Sequence, residues 1–185
     1  MTRSSFLIAV ILTAILQTGA IAGMMYKYAL QINSGREVIV QSGFLDPRDL
    51  FRGHYVILNL AVGDLRSGTV KTDSRFTYRE DVFVELKKGD DGFWFALKLW
   101  HEIPTSHDSA FLKGQIRSIP LLRTGRYRIT FPQDRYFAPK KRAKELEKLR
   151  RDRKLGVILA VTSDGSGFIK GITIDGKKIY DEPVW

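Results

Sequence analysis

The sequence predicts a mainly β protein: an N-terminal transmembrane helix followed by an antiparallel β sandwich or barrel-like domain that carries one basic α-helix. Three observations predict it. The chain is apolar and uncharged from Phe6 to Met25. Beyond that stretch, short apolar runs recur at roughly ten-residue spacing, separated by Gly and Asp turn signals. Between Pro139 and Lys154 both patterns give way to a charged stretch in which Ala143, Leu146 and Leu149 form a narrow apolar stripe.

The first element follows from length and composition. A span of about twenty apolar residues covers roughly 30 Å of hydrocarbon when helical, and FLIAVILTAILQTGAIAGMM between Arg3 and Lys27 meets that need. Gly19 and Gly23 form a G-x-x-x-G spacing, which lets a second helix approach closely. A secretory signal is the competing reading, because Ala20-Ile21-Ala22 fits a small-x-small cleavage pattern. An anchor is preferred: the apolar run continues past that point, and Tyr26 and Tyr28 suit the far interface. The division is residues 1–28 as anchor and 29–185 as an extracytoplasmic β domain, one domain being what a chain of 185 residues has room for.

The strands come next. Glu37 to Val40 is a β-rich run that the turn residues Asp46-Pro47 break. Tyr55 to Leu60 alternates so that Val56, Leu58 and Leu60 share one aliphatic side, as near a sheet centre, and Gly53 ahead of it supplies a position without Cβ. Asp81 to Leu86 and Phe93 to Trp100 flank the turn Lys87 to Gly92 as a hairpin. Ala110 to Arg117 and Tyr127 to Phe131 are further strands. Gly156 to Thr162 and Phe168 to Ile174 make a second hairpin, and Asp175-Gly176 turns the chain into Lys177 to Tyr180.

Charge and cysteine content limit the chemistry. The chain holds 30 Lys and Arg against 20 Asp and Glu, a net charge of +10. Much of that lies between Arg135 and Lys154, which suits a solvated helix face whose long stems cover the sheet, or a contact with headgroups or a partner. Nucleic acid is not expected of an exported domain. With no cysteine there is no disulfide, thiolate nucleophile or sulfur metal site.

The residues that invite a catalytic reading are His54 with Asp49 or Glu80, an imidazole with a carboxylate to orient it, as an envelope hydrolase would use. The structural reading is preferred: a polar strand entrance in which Asp49 accepts backbone N–H bonds and pairs with Arg52. His101 and His107 flank Pro104 in HEIPTSHD without helical metal-ligand spacing, so a solvated loop is expected and no metal or cofactor is assigned. Ser163 and Ser166 lie in a Gly-rich turn without a nucleophile elbow.

The stretch Gly53-His54-Tyr55-Val56-Ile57-Leu58-Asn59-Leu60, preceded by Asp46-Pro47-Arg48-Asp49-Leu50-Phe51-Arg52, resembles the motif of the bacterial GDYXXLXY family. The resemblance extends to the membrane segment, the hairpin at Asp90 to Phe93, Phe111-Leu112-Lys113-Gly114, the step Tyr136-Phe137-x-Pro139, and the closing hairpin from Asp164 to Gly171. Two positions depart from the motif: its Asp is His54 and its final Tyr is Leu60. The resemblance implies a single-pass protein of the bacterial inner membrane with its C-terminal domain in the periplasm. It also implies that Asp46, Pro47, Arg48, Asp49, Arg52, Gly53, His54, Tyr55 and Leu58 are the motif positions. The family has no assigned reaction, and its members are commonly encoded beside a multi-spanning membrane protein. The expected partners are therefore the lipid bilayer and such a protein, with an accessory or interaction role; the sequence leaves the oligomeric state open.

Overall fold

The computed structural model describes residues 3–45, 55–105, 109–120, 125–137 and 155–181. Helix α1 (Arg3–Ser34) leads, and the chain then forms β1 (Arg36–Leu45), β2 (Tyr55–Leu60), β3 (Asp64–Arg66), β4 (Lys71–Thr72), β5 (Asp81–Lys88) and β6 (Trp94–Trp100). After these come β7 (Ala110–Ser118), β8 (Arg126–Thr130), β9 (Arg135–Phe137), β10 (Leu155–Val161), β11 (Gly167–Ile174) and β12 (Lys177–Asp181). The mainly β expectation holds. The basic helix expected over 139–154 lies outside the described residues, as do Asp46, Pro47, Arg48, Asp49, Arg52, Gly53 and His54.

Hydrogen bonding links the strands in the order β12-β11-β10-β1-β6-β5-β7-β8-β3, with β2 joined to β1 and β9, and β4 to β6. The pairings are antiparallel except for β1 with β6 and β4 with β6. The sheet is therefore mixed rather than purely antiparallel. Its hub is β1, which pairs with β10 along Arg36 to Gln41, with β2 along Ser42 to Leu45, and with β6 at Val40. The motif strand β2 is flanked on both edges but sits off the main path.

Period-two alternation explains the core. In β5, Val82, Val84 and Leu86 are fully buried while their neighbours face outward. They meet Val38 and Val40 of β1, Leu99 of β6, Leu112 and Ile116 of β7, and Leu58 and Leu60 of β2 in one cluster. Strand β10 is buried at every position, and its sequence LGVILAV accordingly carries no polar side chain.

The hairpin turns form where the sequence places residues that tolerate positive φ. Asp175 and Gly176 stand at φ of 49° and 78° between Ile174 and Lys177, a two-residue loop whose twist matches the strands it joins. Gly92 and Gly165 serve the β5–β6 and β10–β11 turns in the same way.

Helix α1 outlasts its apolar run. Phe6, Leu12, Leu16 and Met24 are exposed along the span, whereas Ile32 is 1% exposed against the sheet. Tyr28 meets Phe168 of β11 edge to face, centroids 5.5 Å apart. Gly35 alone separates α1 from β1, and a Cβ there would stand 2.9 Å from the Ala160 side chain of β10. The helix thus enters the sheet without a linker.

Candidate functional site

Three places in the described chain bring chemistry-bearing residues together: the motif strand, a histidine cluster and a cleft beside the helix. The motif strand is placed by register. Ile57 lies opposite Leu45 of β1, while Tyr55, Val56 and Ile57 lie opposite Phe137, Tyr136 and Arg135 of β9. Leu58 is buried, so among the described motif positions this one is a core residue. Gly19 and Gly23 lie in α1 with open space where a Cβ would stand.

The histidine cluster forms where β6 ends. His101 follows Trp100, and its imidazole lies between two carboxylates: Nδ1 is 2.8 Å from Asp73 Oδ1 and Nε2 is 3.2 Å from Glu80 Oε1. The main-chain N–H of His101 donates to Asp73 Oδ2 at 2.9 Å, and Thr77 donates to Glu80 Oε2 from both its N–H and its hydroxyl. Phe76, buried, stacks on the imidazole face. Burial works against the charge on Asp73, but the hydrogen bonds from His101 and Ser74 together hold its carboxyl below the usual range. Glu80 is also held low, chiefly by the two Thr77 donors, with the His101 charge assisting.

This arrangement does not make a nucleophilic relay. A relay needs the serine and the orienting carboxylate on opposite ring nitrogens. Ser74 Oγ and Asp73 Oδ1 both face Nδ1, and Nε2 already faces Glu80. The cluster is a latch that closes the 73–80 loop against the end of β6. His101 opens a loop after β6, as expected, and its partners lie in a different loop, 21 and 28 residues earlier in the chain. Glu80, proposed from sequence as a partner for His54, is engaged by His101 and Thr77. His107 lies outside the described residues. Among the described residues no group of three or more His, Cys, Asp or Glu could hold a metal ion.

The third place is a cleft of about 740 Å³ between β7, the end of β8 and the start of β11. Phe131, Pro132 and Phe168 make its apolar wall, and Lys113 and Arg117 stand at its rim. Lys113 pairs with Asp81 at 2.9 Å, and Arg117 donates to Thr130 Oγ1 at 3.1 Å. The walls are pinned. The N–H of Lys113 donates to the Gly165 carbonyl at 2.8 Å, and Gln133 Nε2 donates to the Gly167 carbonyl. A Cβ on Gly114 would stand 2.6 Å from Ile129 and 2.8 Å from Phe131; one on Gly167 would stand 2.6 Å from Leu112. The cleft thus joins Phe111-Leu112-Lys113-Gly114 to the closing hairpin from Asp164 to Gly171, two stretches that carry the sequence resemblance. Sequence reasoning missed it because no local pattern brings the two stretches together; the paired glycines were the available signal.

A family model described as GDYXXLXY protein matches residues 17–172. No curated protein and no solved structure matches the chain.

Proposed function

Because the chain belongs to the GDYXXLXY protein family, we propose that it is a single-pass anchored accessory module of a bacterial inner-membrane complex, with its β domain in the periplasm and a multi-spanning membrane protein as its partner. The observation that carries this reading is the continuity of α1. Ser4–Ser34 is long and apolar enough to cross a membrane, and its apolar stretch is exposed rather than packed on the β domain. The same helix then buries Ile32 in the β domain and passes through Gly35 into β1, the hub of the sheet.

An enzyme that needs only to stay near a membrane is served by a flexible tether. A helix fused to the central strand fixes the height and rotation of the domain over the bilayer, which is what a protein docking on another membrane protein requires. The open side of Gly19 and Gly23 offers close approach for a partner helix.

The test is purification of the full-length protein from native membranes in mild detergent, in parallel with Gly19→Leu/Gly23→Leu. Co-purification of a stoichiometric multi-spanning protein, lost in the double variant, is expected. Recovery of the wild-type chain alone would refute the accessory role and return attention to His54, Asp49 and an envelope hydrolase.

A further inference from the structure

We infer that the cleft between Lys113, Arg117 and Phe168 holds the headgroup and upper chain of an anionic phospholipid drawn from the leaflet beside α1. The inference rests on the anchoring reading above and adds a ligand to it.

Depth is the first support. If the apolar run ends at Met25, Tyr28 stands three residues beyond it, about 5 Å along the axis at 1.5 Å per residue. The headgroup layer is roughly 5 to 8 Å thick on each side of the hydrocarbon, so Tyr28 lies within it. Phe168 touches Tyr28 and also lines the cleft. The cleft therefore opens at the height of lipid phosphates.

Chemistry is the second support. The wall is apolar at Phe131, Pro132 and Phe168, which suits the glycerol backbone and first methylenes of a lipid. Of the charged lining residues Asp81 is paired with Lys113, and Arg117 has no carboxylate partner among the described residues, so the cleft presents one net positive charge to a phosphate. The side chain of Gln133, among the lining residues, carries a buried Oε1 without a hydrogen-bond partner, an acceptor still to be satisfied beside the cleft. Gly114 and Gly167 let the strands behind the cleft pack closely, because a Cβ at either would meet Ile129, Phe131 or Leu112.

The test uses the full chain in nanodiscs of phosphatidylcholine doped with phosphatidylglycerol, with p-benzoylphenylalanine in place of Gln115, a lining residue. The same probe in place of Lys177, which begins β12 opposite Ile174 at the far end of β11, is the control. Illumination should yield lipid adducts at 115 enriched in phosphatidylglycerol, with none at 177. Lys113→Gln and Arg117→Gln should each cut the enrichment about five-fold. Adducts that ignore lipid charge, or are indifferent to both variants, would overturn the inference. So would a polypeptide adduct of fixed mass at 115 in native membranes, which would make the occupant a protein. Carbonate extraction of each sample separates the two failures. A protein released by carbonate defeats the anchoring reading and the lipid site together, whereas a carbonate-resistant protein with charge-blind adducts defeats the lipid site alone.

Discussion

The ring of Phe76 lies flat on the imidazole of His101, with centroids 4.0 Å apart and planes 1° from parallel. The stack fixes the plane of the imidazole, and that plane aims its two nitrogens at Asp73 and Glu80. The reverse face of the same loop is held by the N–H of Arg79, which donates to the Ile116 carbonyl, and by Glu80, whose carbonyl accepts from Ile116. A two-sided clamp of this kind ties the loop to β6 and β7 at once.

His101→Ala should therefore lower the free energy of unfolding by about 1 to 2 kcal/mol, through the lost stack and the lost imidazole contacts to Asp73 and Glu80. Chemical denaturation gives the total. Hydrogen exchange should show the loss concentrated at residues 73–80, and uniform loss of protection would contradict the latch.

The latch has a pH dependence of defined sign. Asp73 and Glu80 are more acidic folded than unfolded, so their contribution is fully present above the ordinary carboxylate range near about 4 and is lost as pH falls through their lower folded values. Acid unfolding of the wild type should be steep below pH of about 4, and His101→Ala should flatten that limb. An acid limb of equal slope in both proteins would show that these carboxylates do not report on the latch.

Glycines in this chain divide by what surrounds them. Gly114→Ala forces a methyl into Ile129 and Phe131 and should cost about 1 to 3 kcal/mol, read as a lowered thermal midpoint. Gly23→Ala meets nothing within 4 Å and should leave that midpoint unchanged. A drop for Gly23→Ala in detergent would mean that its face is already occupied.

Ile32→Ala opens a cavity where the helix meets the sheet and should cost about 2 to 4 kcal/mol. Membrane retention should survive, because the exposed apolar span is untouched. The variant thus separates anchoring from docking: carbonate-resistant association combined with loss of the partner would show that docking orients the domain.

What was legible in the sequence follows from range. The hairpins around Gly92, Gly165 and Asp175-Gly176 declare themselves because turn chemistry and alternation both act over a few residues. The aliphatic side of Leu58 and Leu60 was readable for the same reason. The parallel contact of Val40 with Trp94 joins residues far apart in the chain, and no local pattern encodes it, so the hub role of β1 was invisible and β2 took its place. Strands β3 and β4, three and two residues long, are too short to show a period. The continuation of α1 to Ser34 was hidden by the end of its hydropathy, although Tyr28 and Ile32 stand one helical turn apart. In the latch, aspartate, glutamate and histidine are ordinary surface residues until the fold brings them together.

The seamless passage of α1 into β1 makes chain length a geometric variable. Each residue inserted between Met25 and Tyr28 would lift the sheet by about 1.5 Å and turn it by about 100° against whatever the membrane segment touches. One inserted residue would therefore swing the cleft to another side of the anchor, while four would restore its bearing to within about 40° and raise it by about 6 Å. The spacing between apolar run and docking turn thus sets both the compass bearing and the altitude of the domain, and deletions there should act in phase with the helical period rather than in proportion to their length.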